Sequence, residues 1–204
     1  MGSRLYRKGD LMKTYIALLR GINVGGRNVL PMKELVAMLE SIGAQNVKTY
    51  VQSGNVVFQS EETGAPTLSN TISSTIKKRR GFEPRVLLLE LEQLQMAVES
   101  NPFPEAESEP KTLHLHFLAS VPNNPDFDAL ESIKTDRERF LLEDGVFYLH
   151  APDGIGRSKL ASNAERLLGV SMTGRNWRTV CKVLAMAKAT EASQGARAAR
   201  GSRS

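Results

Sequence analysis

The 204-residue chain is 41% hydrophobic and 24% charged, an ordinary globular balance that excludes an intrinsically disordered protein. Its single cysteine, Cys181, excludes an intramolecular disulfide and a cysteine-built metal cluster; no apolar run approaches the ~18 residues of a membrane span, and residues 1–13 lack the apolar core of a secretory signal, so a cytoplasmic protein is expected. The net charge of +5 resides in the ends, +3 in residues 1–13 and +2 in residues 190–204, so the neutral body lacks the basic footprint usual in nucleic-acid binders.

The elements follow in chain order. Residues 1–12 show no period and read as a disordered extension. Thr14–Leu19 is a short apolar run bounded by Gly, the signature of a buried strand. Pro31 suits the first position of a helix, which Met32, Leu35, Val36, Leu39 and Ile42 continue and Gly43 closes. Val47–Val51 and Asn55–Gln59 are β-rich runs joined by Gln52-Ser53-Gly54, a hairpin signal. Leu68, Ile72 and Ile76 mark a second helix ending near Gly81, and Arg85–Leu89 is another strand. The order βαββαβ is ferredoxin-like.

Leu91, Leu94 and Val98 predict a linking helix, broken by Asn101-Pro102-Phe103-Pro104. The acidic stretch with Glu105, Glu107 and Glu109 reads as a solvated linker loop over residues 101–111. Thr112–Ala119 predicts a strand, and Phe127, Leu130 and Ile133 a short helix. Arg139–Leu142 and Val146–His150 form a hairpin around Asp144-Gly145. Leu160, Ala164, Leu167 and Leu168 predict a helix closed by Gly169. Trp177, Val180, Cys181 and Leu184 predict a last one. Residues 190–204, rich in Ala, Gly, Ser and Arg, read as a disordered tail. The expected class is α+β: two small α/β-sandwich subdomains over about residues 13–100 and 112–189. The first is ferredoxin-like and the second a related βαββα with a C-terminal helix.

Several of these segments resemble a bacterial family catalogued as domain of unknown function 1697. The resemblance rests on Tyr15–Gly26, on Tyr50–Phe58 and on Asn101-Pro102-Phe103-Pro104. It rests also on Gly156-Arg157-Ser158-Lys159-Leu160 and on Thr173-Gly174-Arg175-Asn176-Trp177-Arg178-Thr179-Val180. Together they run from about residue 13 to 188. The resemblance implies a two-part α+β fold and no established activity, cofactor or catalytic residue.

The candidate site begins at Arg20-Gly21-Ile22-Asn23-Val24-Gly25-Gly26-Arg27-Asn28, a strand-to-helix connection. Glycines there permit positive φ and close approach of the backbone, and turn N–H groups can bind anions. Gly21–Asn28 is a near miss to a P-loop, with Arg27 for Lys and Asn28 for the metal-binding hydroxyl. It lacks the Gly-x-Gly spacing of a dinucleotide fold. The plain alternative is a structural connection capped by asparagines. Ser53 and Asn55 sit at the hairpin tip and add a hydroxyl and an amide to the same candidate site. No Gly-x-Ser-x-Gly surrounds Ser53.

A second cationic group is Arg157, Ser158 and Lys159, opening one helix, and Arg175, Asn176 and Arg178, opening the next. Cations at helix starts oppose the macrodipole and so ask for an anion. Trp177 and Cys181 read as core on the last helix, and His114 and His116 as half-exposed residues on one strand face without a third metal ligand. The reading is a binding protein for a phosphate-bearing ligand, in a cleft with the Arg20–Asn28 loop as one wall and the Arg157 and Arg175 helix starts as the other. The alternatives are an enzyme on a small anionic substrate, for which no general base is visible, and a protein–protein interaction module. Nucleic acid enters only as a salt-sensitive, tail-driven partner. No membrane partner, metal or cofactor is assigned.

Overall fold

The computed structural model describes residues 12–62 and 64–201. The extension expected over residues 1–12 therefore lies, but for Met12, outside the described residues. The chain forms two compact units. One comprises the chain up to Gln93 together with the part from Val183 onward, and the other Leu94–Lys182.

In the N-terminal unit the elements are β1 (Lys13–Arg20), α1 (Met32–Glu40), β2 (Gln45–Tyr50), β3 (Asn55–Ser60), α2 (Ala65–Arg80) and β4 (Arg85–Glu90). They form an antiparallel sheet in the order β2-β3-β1-β4. The unbroken apolar run of β1 reflects burial on both faces. On one face Tyr15, Ala17, Leu19, Val56 and Phe58 pack with Leu35 and Leu39 of α1 and Leu68, Ile72 and Ile76 of α2. The opposite face carries Lys48 and Gln59, which donate to Thr190 and Gln194 on the last helix. That helix thus spans the surface by which split βαββαβ sheets read RNA. The outer edge of β4 is also occupied. Ser69 Oγ of α2 donates to the Val86 carbonyl at 2.5 Å, and Ser73 Oγ to that of Pro84 at 2.7 Å, which blunts an otherwise open strand.

α3 (Leu91–Glu99) leads into the C-terminal unit, which continues with a 3₁₀ turn at Pro104–Ser108, β5 (Leu113–Leu118), α4 (Phe127–Ile133), β6 (Arg139–Glu143), β7 (Val146–His150), a 3₁₀ turn at Ile155–Arg157, α5 (Lys159–Leu168) and β8 (Met172–Asn176). α6 (Trp177–Gly201) follows and runs into the first unit. The sheet order is β6-β7-β5-β8, again antiparallel. Phe147, Leu149 and Met172 pack with Leu130 of α4 and Leu160, Ala164 and Leu168 of α5. On the other face Tyr148 donates to the Ala97 carbonyl of α3 at 2.9 Å.

The α+β class with two ferredoxin-like units holds, and the second unit is more complete than its pattern predicts. Thr173-Gly174-Arg175-Asn176 does not open a helix but forms β8, paired with β5 from Met172 to Asn176. The strand is short, carries Gly and Asn, and alternates no apolar residues, so periodicity misses it. Its Gly174 is explained by its partner. A Cβ there would come within 2.5 Å of His116 Nδ1, so the imidazole fills the space a side chain would need. Glu105, Glu107 and Glu109 of the acidic stretch are exposed, as expected, but the stretch is anchored at Phe103. Phe103 is buried beneath the Arg139 guanidinium, 4.7 Å from its ring centre, and Arg139 pairs with Glu105. α6 continues to Gly201, through most of the stretch expected as a tail, because alanine and arginine are strong helix formers.

Candidate functional site

The Arg20–Asn28 connection folds as a small finger at the end of β1. Val24 and Arg27 form an antiparallel bridge, with Arg27 N donating to Val24 O at 3.0 Å. The two residues between them, Gly25 at φ 55° and Gly26 at φ 72°, are both left-handed, as a tight two-residue hairpin turn requires. Asn23 and Asn28 also lie at positive φ, and Asn is the side chain best tolerated there.

Both asparagines are consumed in bracing the finger. Asn23 Nδ2 donates to Leu30 O at 3.0 Å and to Gln52 O at 2.8 Å, while its Oδ1 accepts from Leu30 N at 2.7 Å. Asn28 Nδ2 donates to Gly21 O at 2.7 Å. The finger is thereby tied to the β2–β3 turn. Leu19 N donates to Gly54 O, and Gly54 lies against Leu19 and Ile22 so closely that a Cβ would meet Leu19 Cβ at 2.7 Å. Asn55 is fully buried, and its amide donates to Tyr50 O and Ser53 Oγ, both at 3.0 Å. Val51 on the same turn adopts φ 51°, a conformation that costs a β-branched residue about 1–3 kcal/mol.

The structure thus brings Arg20, Gly21, Asn23, Gly25, Gly26, Arg27, Ser53 and Asn55 together. It divides them by role: Asn23 and Asn55 hold the loops, whereas Arg20, Gly25, Gly26 and Arg27 are exposed. Exposed with them are Val24, Val29 and Val51, each half or more accessible.

The second cationic group lies in the C-terminal unit. Ser158 caps α5, its Oγ accepting from Ala161 N at 2.9 Å, and Arg157 and Lys159 flank it, exposed. Arg175 is on β8 rather than at a helix start. Burial holds its guanidinium down to about 10, and Nη1 donates to Gly174 O at 2.8 Å. Asn176 caps α6 by accepting from Thr179 N at 3.0 Å. Trp177 is buried, as its helical spacing predicts, and Arg178 is exposed. Burial and the nearby Glu107 push the Cys181 thiol up, away from thiolate reactivity.

His114 and His116 do share a face of β5, their ring centres 6.3 Å apart, but both are buried rather than half-exposed. Burial lowers the pKa of His114, whose Nε2 lies 2.9 Å from Lys111 O. His150 is also held low by burial and then by Arg139. Its Nδ1 lies 3.1 Å from Arg139 Nη2, a contact that needs the neutral ring as acceptor.

Sequence reasoning missed a further basic group. Lys77, Lys78, Arg79 and Arg80 fill the last turn of α2, and Arg85 opens β4 directly opposite Arg20 on β1. The signal was a run of four bases, ordinarily read as cations complementing a helix C-terminus.

Two tandem ferredoxin-like units, the first bearing a braced glycine finger, define the structural class. The chain belongs to the family described as "Protein of unknown function (DUF1697)", which matches residues 12–148. The motifs beginning at Gly156 and Thr173 lie beyond that span. Among solved structures the chain is similar to the conserved bacterial protein SP0830 from Streptococcus pneumoniae. The likeness covers 86% of this chain and 99% of that one, at 25% identity and a TM-score of 0.65. No curated protein matches significantly. Among the described residues, no helix is long and apolar enough to cross a membrane.

Proposed function

We propose that the protein binds a phosphate-bearing ligand through the finger of its N-terminal unit. One observation carries this reading. Asn23 and Asn28 use their side chains to fix a turn whose tip, Gly25-Gly26-Arg27, is exposed. A rigid tip with glycine backbone and a guanidinium suits an anion. The backbone can approach phosphate oxygens, and Arg27 can meet them in bidentate fashion. Rigidity matters because a preformed loop avoids the ordering cost of binding. The strain at Val51 supports the same reading, since strained backbone clusters at binding sites.

The experiment is calorimetric titration with inorganic pyrophosphate and a nucleoside triphosphate. The expected result is saturable binding that Arg27→Ala weakens about tenfold, the loss of one charge-assisted contact. Binding unchanged in Arg27→Ala would contradict the proposal.

A further inference from the structure

The N-terminal unit separates its charges by end. Among the described residues, the finger end carries Arg20, Arg27, Lys33, Lys77, Lys78, Arg79, Arg80 and Arg85, all exposed, against the carboxylates of Glu34 and Glu83. The connections that bring them together are explicit. Arg20 and Arg85 are register partners on β1 and β4. Arg80 Nη2 donates to Val29 O at 2.8 Å, two residues from Arg27, and its Nη1 pairs with Glu34 at 3.3 Å. Lys77 pairs with Glu83 at 2.6 Å. The opposite end carries Glu61, Glu62, Glu90 and Glu92, with Lys13 paired to Glu90. Whole-chain charge hides this, because the net +3 of residues 13–93 is cancelled by the net −3 of residues 94–182.

We infer that this end is a docking surface for the phosphate backbone of a nucleic-acid strand. The inference rests on the finger as an anion site and extends it from one phosphate to a polymer. Five of the eight cations are arginine, the residue suited to phosphate forks. The cations lie on an exposed surface running from the α2 terminus to the finger tip, which suits an extended polyanion better than an enclosed small molecule. Val24, Val29 and Val51 offer apolar area beside it for sugars and bases. The sheet face contributes nothing, since α6 spans it. Recognition is therefore of backbone charge and independent of sequence.

The test is fluorescence anisotropy of the full chain with a labelled oligonucleotide, single-stranded and duplex, across a salt series. Binding should weaken with salt, by a log–log slope of about −0.9 per phosphate contacted on duplex and about −0.7 on single strand. Arg20→Gln/Arg27→Gln/Lys78→Gln/Arg85→Gln should lower affinity on the order of 100-fold and flatten that slope by about three. Its melting curve checks that it folds. A control variant replaces Arg4, Arg7, Lys8, Arg197, Arg200 and Arg203 with Gln and should keep most of the binding. Loss confined to the control, or an acidic peptide or anionic vesicle bound more tightly than either oligonucleotide, would overturn the inference. Pyrophosphate binding without oligonucleotide binding would overturn it while leaving the finger proposal standing. Oligonucleotide binding lost in the four-site variant, without pyrophosphate binding, would do the reverse.

Discussion

In the C-terminal unit Arg137 and Arg139 are closed onto Asp153 and Glu105, whereas in the N-terminal unit Arg27 and Lys78 make no ion pair among the described residues. The two units share one strand order, so the contrast does not come from topology. It comes from the connections. The β5–α4 connection ends on an aspartate that caps its helix, Asp126 accepting from Ala129 N. The β1–α1 connection instead grows a finger and holds it with asparagines. Both units close some surface cations onto carboxylates, as Lys77 does with Glu83 and Arg137 with Asp153; what the first unit adds is a braced finger that presents Arg27.

The largest effect that could break this comparison is on the brace beneath the finger. Gly54→Ala places a Cβ against Leu19 and Ile22 at φ 75°, and overpacking plus a left-handed residue should cost about 3 kcal/mol. Chemical denaturation would measure it. In the C-terminal unit Gly174→Ala should cost about 2 kcal/mol through its clash with His116, and His116→Ala should remove most of that penalty. A double-mutant cycle without coupling would refute the contact.

Asn23→Ala removes three hydrogen bonds and should destabilise by about 2 kcal/mol. It should also abolish anion binding, because the tip loses its tie to Gln52. Equal stability with intact binding would show that the finger needs no brace.

Acid should weaken the C-terminal unit. His114 and His150 have pKa values lowered by folding, so the unfolded chain binds protons first as pH falls below about 6.5. Stability is thus full above that pH and declines as pH falls toward the folded values. Thermal melts from pH 7 to pH 5 should show the decline, and His114→Gln should flatten it. The Glu105–Arg139 pair works at lower pH, since Arg139 holds that carboxyl below its ordinary range. The smallest effect on stability is expected of Arg27→Ala, within about 0.5 kcal/mol, although binding should fall.

The sequence announced the first unit well because its strands are apolar and its helices periodic. β1 is buried on both faces and reads as an unbroken run. β8 was invisible because its identity is set by its neighbour: Gly174 answers to His116 across the sheet, and no local pattern encodes that. The finger was legible as a cluster of Gly, Asn and Arg. Which asparagines face inward was not, since that depends on Gln52 and Leu30 arriving from other parts of the chain. The cations of α2 and β4 were each visible, yet their meeting at one end of the sheet is a consequence of antiparallel pairing.

The central claim, that the finger is an anion site, is tested most directly by amide chemical-shift mapping during pyrophosphate titration. The expected result is saturable shifts at Gly25, Gly26 and Arg27, lost in Asn23→Ala. Shifts confined to the C-terminal unit, or none at all, would contradict it.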